Sequence, residues 1–182
     1  MPVARLAARV IIGGLFVGHG TQKLFGWFDG PGVKGTTGFM EALEMRPAKP
    51  NALAAGASET IGGTLLALGL ATPLAASSLI GTMIVAIRKV HLAKGPWMSN
   101  GGYEYNLVLI AAVAALVEVG PGELSLDHLL GIEKHGPAWA LAAVGGGVIA
   151  STLTIESAKR QPAPGAEPGA NEAAAPVVEH AE

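Results

Sequence analysis

The residues with chemistry to offer are polar side chains set at the edges of apolar runs. His19, Gln22 and Lys23 close one such run, and Glu59 is the single acid of a second. Arg88 and His91 lie late in a third, and Glu104 and Asn106 open a fourth. Three residues apart, Arg88 and His91 share a face if their helix continues. An Arg at the centre of a membrane span costs roughly 2.5–3.5 kcal/mol. Nearer an end it costs less, because the side chain can snorkel. Residues of this kind need partners, and within a membrane they are candidates for a ligand pocket or a proton path. His19, Glu59 and His91 are also metal-ligand types. Their spacing matches no metal motif, so no metal is assigned.

The elements that must position these groups are apolar helices. Of 182 residues, half are hydrophobic and only 14% are charged. A soluble domain usually carries about 25%. The formal net charge of -2 gives no electrostatic case for nucleic acid. The chain has no cysteine, which excludes disulfides, thiolate metal sites, thiol redox chemistry and Cys-ligated iron–sulfur clusters. Arg5 and Arg9 precede an apolar stretch, as in a signal peptide. The residues that follow are Gly18-His-Gly-Thr-Gln-Lys23 rather than a small-residue cleavage site, so the expectation is a retained helix.

Taken in order, the first span runs from about Arg5 to Phe25. It holds Gly14-Leu-Phe-Val-Gly18, a G-x-x-x-G spacing that marks close helix packing. Trp27 and Phe28 suit a membrane interface. Gly30-Pro-Gly-Val-Lys-Gly35 matches the dinucleotide fingerprint in form only, since no strand precedes it. Thr37 to Met45 reads as a short interfacial helix ended by Pro47 and Pro50. The second span is about Asn51 to Ala71, with Glu59, Gly63 and Ala67 on a small-residue face. After the turn at Thr72-Pro73, the third runs from about Pro73 to Lys94. In it Ser77, Gly81, Ile84, Arg88 and His91 form one stripe. The fourth, about Tyr105 to Val119, is short for a span. Ser125 is a candidate N-cap for a surface helix. Pro137 to Ile155 is a fifth candidate span, weakened by Gly145-Gly-Gly147. Residues 159–182 are rich in Pro, Ala, Gly and Glu, a composition that cannot bury a core and reads as a disordered tail.

Alternating helix directions place all eight polar residues in one half of the membrane, and Glu118 in the other, towards Arg5 and Arg9. Counted from the Thr72-Pro73 turn, Glu59 and Arg88 sit within one helical turn in depth. The expectation is a direct Glu59–Arg88 pair. Such a pair is either a structural device that penalises wrong packing or part of a polar site.

Four stretches resemble the DoxX family of small bacterial and archaeal membrane proteins. They are His19-Gly-Thr-Gln-Lys-Leu-Phe-Gly-Trp-Phe28, Gly56-Ala-Ser-Glu-Thr-Ile-Gly-Gly63, Ala86-Ile-Arg-Lys-Val-His91 and Gly101-Gly-Tyr-Glu-Tyr-Asn-Leu107. The resemblance runs from about Val3 to Gly131 and implies an all-α, polytopic bundle of four core transmembrane helices. Pro137 to Ile155 adds a fifth. The expected organisation is a four-helix membrane domain over 1–131, an additional transmembrane helix over 132–158 and a tail over 159–182. The family's association with quinone-linked sulfur oxidation and oxidative-stress defence implies a redox-linked subunit of a prokaryotic cytoplasmic (inner) membrane. Its partners would be the lipid bilayer, redox-enzyme subunits and, in a homo-oligomer, further copies of itself. A quinone's carbonyls need only hydrogen-bond donors, which His19, Arg88 or His91 can supply. The alternative is a non-catalytic scaffold or small transporter with a structural Glu–Arg pair. Loop charge leaves the orientation open: Lys34, Arg46, Lys49 and Lys94 lie on the polar cluster's side, against Arg5, Arg9 and Lys134 on the other.

Overall fold

The structure is a computed structural model that describes residues 2–162. Most of the expected tail, 163–182, lies outside the described residues. All regular elements among those described are helical. They are α1 (Pro2–Phe25), α2 (Gly32–Ala42), α3 (Ala48–Leu68), α4 (Thr72–Ala86), α5 (Glu104–Val119), α6 (Leu126–Leu129) and α7 (Pro137–Lys159). A π-helical turn, Ile87–His91, and a 3-10 turn, Leu92–Lys94, continue α4. The interfacial helix α2 thus starts earlier than its sequence suggests. Pro50 falls in the first turn of α3, where its missing N–H would bond nothing, so it does not act as a stop.

The helices are turned inside out relative to a soluble bundle. Ile11 of α1, Ile61 of α3, Leu74 of α4, Val108 of α5 and Ile149 of α7 are all about 60% exposed or more. Exposed apolar surface on every long helix fits a lipid surround rather than water. Three helical stretches are long and apolar enough to cross a membrane: Pro2–Phe25, Thr72–Lys94 and Pro137–Lys159. The molecule is an all-α membrane helix bundle.

Glycine sets the closest approach, which is between α1 and α3. A Cβ on Gly63 would stand 2.6 Å from the Gly13 carbonyl oxygen, and one on Gly13 would collide with the Gly63 carbonyl. One turn-pair further along, Gly20 meets the Gly56 carbonyl and Thr60 in the same way. The expected Gly14/Gly18 pair plays no such part, since a Cβ at either meets nothing within 4 Å. The packing residues of α1 are Gly13 and Gly20, seven apart, and lie outside the G-x-x-x-G pair. A G-x-x-x-G spacing gives two small residues on one face but not which face meets a partner. Gly63→Ala should lower the unfolding temperature of the detergent-solubilised protein clearly, and Gly14→Ala should not change it. Equal responses would mean that the helices do not cross at Gly63.

Glycine also explains α7. Gly147 lies against Gly81 and Ile80 of α4, and Gly146 against Ser77. The glycine run that lowers helix propensity is the face that lets α7 approach α4. Met40 and Met45, Ala52 of α3, and Ile155 and Ala158 of α7 then close a second apolar cluster beside the main core. The helix runs past the expected end at Ile155 to Lys159.

The far end of the bundle is locked by charge. Asp127 is buried and its carboxylate accepts from Ala71 N, Thr72 N and the Thr72 hydroxyl, at 2.8, 3.0 and 2.7 Å. It thereby caps α4 from another segment of the chain. Ser125 caps α6 as expected, accepting from His128 N at 3.2 Å. Arg9, fully buried, donates to the Ala67 carbonyl in the last turn of α3 and to the Leu124 carbonyl. Gly69 ends α3 in a left-handed conformation with the Arg9 guanidinium where a side chain would be. Arg5 donates to the Val119 carbonyl. Glu118 lies at the same end of the bundle as Arg5, as expected, but its side chain is exposed, and backbone carbonyls take both arginines.

Candidate functional site

At the other end of the bundle, the end of α1, α2, the middle of α3, the π turn and the start of α5 enclose a cavity of about 450 Å³. This lies in the range of about 300–1,000 Å³ usual for small-molecule sites. Its wall is mainly apolar, with Leu15 and Phe16 of α1, Phe39 and Met40 of α2, and Val85 and Ala86 of α4 among its residues. The polar residues set into it include His19, Lys23, Glu59, Lys89, His91 and Asn106.

Lys23 and Glu59 form the ion pair of the site, Nζ to Oε2 at 2.5 Å. The glycine crossing of α1 and α3 brings them together, since Lys23 lies one turn beyond Gly20 and Glu59 one turn before Gly63. The Glu59 side chain is 4% exposed and that of Lys23 27%. Lys23 also donates to the His19 carbonyl at 3.4 Å, and its own carbonyl accepts from the Thr36 hydroxyl, which ties α2 to the end of α1.

The expected Glu59–Arg88 pair does not form. Arg88 is exposed and donates to the Thr152 hydroxyl of α7 at 3.3 Å. Glu59 meets Lys23 of α1, and Arg88 meets Thr152 of α7. The Ser77–Gly81 stripe faces α7, and Arg88 continues it. Nor do Arg88 and His91 share a face. The π turn takes up an extra residue, so three steps no longer return to the same side. His91 lines the cavity instead, with Nδ1 2.7 Å from the Gly101 carbonyl.

Two other expected residues also lie off the cavity. Gln22 donates to the Phe28 carbonyl at 3.4 Å and braces the loop after α1. Glu104 accepts from Met98 N at 2.6 Å and holds the loop before α5. Asn106, buried, is in the wall and donates to the Met83 thioether at 3.4 Å. The structure thus gathers His19, Lys23, Glu59, His91 and Asn106, and sends Gln22, Arg88 and Glu104 elsewhere. Sequence reasoning missed Lys89, which the π turn swings onto the wall. It also missed Asp127, which looks like one acid in a polar loop until its three donors are seen. Among the described residues, no group of three His, Asp or Glu side chains is placed to hold a metal ion.

Residues 4–92, from α1 to just past the π turn, match the DoxX family. A protein of Bacillus subtilis (strain 168) named "Putative oxidoreductase CatD" is 34% identical over 125 residues, which are 69% of this chain and 85% of that protein. No solved structure gives a significant match.

Proposed function

This chain belongs to the DoxX family, and on that premise we propose that it is a redox-linked membrane protein whose cavity takes the head of a lipid-soluble quinone. The observation that carries the reading is the cavity itself, apolar over most of its wall with a few ionisable groups at one place. That division suits an amphiphile with a long apolar tail and a polar head. The name of the Bacillus relative supports the redox part. His19, Lys23 and His91 are the groups that meet the head, Asn106 fixes its orientation, and Glu59 holds Lys23 in place and offers a route for protons. When bound, a quinone would supply two-electron redox chemistry. With no cysteine in the chain, electrons come from or go to a partner redox subunit.

The five long helices are read as spans of a prokaryotic cytoplasmic membrane. Reporter fusions after Gly131 and after Ser157 should then fall on opposite sides. Identical locations would remove α7 from the spans. Protein purified in mild detergent from a quinone-containing membrane should retain quinone at about one per chain, and Ala86→Trp, which fills the cavity, should lose it while still folding. A stable protein without quinone or quinone-dependent activity would instead favour a scaffold or small transporter. The mutually satisfied Lys23–Glu59 pair speaks for that second reading, with its charges as a packing device.

A further inference from the structure

The cavity wall contributed by α4 and α5 offers hydrogen-bond acceptors. A backbone carbonyl cannot donate, so in the contact between His91 Nδ1 and the Gly101 carbonyl the proton sits on Nδ1. A ring with that single proton carries its lone pair on Nε2. No partner for Nε2 occurs among the described residues, and His91 lines the cavity, so Nε2 is the ring atom left to meet a ligand. Asn106 repeats the pattern. Its amide nitrogen faces the Met83 thioether, a sulfur that accepts and does not donate, which turns the amide oxygen out of that contact. On the opposite wall the Lys23 ammonium donates to Glu59 and the His19 carbonyl, which leaves one of its three N–H groups for a ligand.

Neither acceptor has a protein donor bonded to it among the described residues, and a carbonyl-bearing head cannot supply one, whereas a hydroxyl can. We propose that the site selects a lipophilic ligand whose head carries a hydroxyl donor, bound by donation to His91 Nε2. This rests on the quinone reading above and narrows it: of the two redox forms, the hydroxyl-bearing quinol is held more tightly than the quinone. The same chemistry would accept a long-chain phenol. The π turn positions the acceptor, because without its extra residue His91 would follow Arg88 towards α7.

The test uses the full chain in lipid nanodiscs, with 4-dodecylphenol and its methyl ether, 4-dodecylanisole, as probes of equal tail and nearly equal shape. The phenol should bind about three- to tenfold more tightly, the worth of one neutral hydrogen bond. His91→Asn keeps an amide donor for the Gly101 carbonyl but has no counterpart of Nε2, so it should bring the two probes close to parity, whatever it does to their common affinity. Solid-state 15N NMR of histidine-labelled wild-type protein provides a readout that needs no variant. His91 should carry its proton on Nδ1, and its Nε2 resonance should move with the phenol and not with the anisole. Equal binding of both probes to wild type, or a proton found on Nε2, overturns the acceptor assignment and leaves the cavity as a ligand site. Failure of both probes to bind above the level of empty nanodiscs overturns the ligand-site reading and this inference with it.

Discussion

Asp127→Ala should destabilise the bundle by about 3–5 kcal/mol, among the largest effects open to a single change in this chain. Three donors depend on that carboxylate, two of them backbone N–H groups at the start of α4. Hydrogen bonds to a charged group contribute about 1.5–3 kcal/mol each, and they do not simply add. The site is buried, so water cannot take over the freed donors. Asp127→Asn retains one acceptor oxygen and turns an N–H₂ towards the remaining donors. It should cost roughly half as much. Unfolding in detergent, followed by helical circular dichroism, measures both. A loss below about 1 kcal/mol for the alanine variant would show that α4 does not depend on this cap.

The second large effect lies in the Lys23–Glu59 pair, and its asymmetry is the informative part. Lys23→Met leaves the Glu59 carboxylate, 4% exposed, without its cation. Removing one partner of a buried pair typically costs about 3–5 kcal/mol. Glu59→Gln leaves Lys23, which is 27% exposed and keeps the His19 carbonyl, so the ammonium can turn outwards at a smaller cost. The lysine change should therefore be the worse of the two, and the double change should recover most of the loss. Additive single effects would mean that the two side chains do not interact. An Arg88→Met change, by contrast, breaks only an exposed bond to Thr152 and should stay within about 0.5 kcal/mol of wild type.

The long helices were legible in the sequence because each is an apolar run broken by Gly, Pro or a charge, and the helices read from those runs match α1, α3, α4, α5 and α7 closely, three of them within stretches long and apolar enough to cross a membrane. What was not legible is which way each face points. Depth can be counted from a turn, but azimuth depends on which helix lies alongside. Only packing reveals that Gly13 and Gly20, not Gly14 and Gly18, meet α3, which hands Glu59 to Lys23. Likewise the stripe through Ser77, Gly81 and Arg88 is real as a stripe. It faces α7, a helix whose glycine run lowers its helix propensity. The π turn is the hardest feature to foresee: Ile-Arg-Lys-Val-His continues the apolar period without a break, and nothing in its residue types marks the extra residue that moves Lys89 and His91 to the cavity.

The cavity as a quinone-head site is the central claim, and a photoreactive azidoquinone with a short alkyl tail tests it directly. Illumination of the full chain in native-like lipid, followed by peptide mapping, should place the label on two segments that are far apart in sequence. These are the end of α1 around Leu15 to Lys23 and the stretch from Val85 to His91, both on the cavity wall. Excess unlabelled quinone should abolish both labels together. Label spread over the outer faces of the helices, insensitive to competitor, would mean that the probe meets the chain only from the lipid and that the cavity does not bind it.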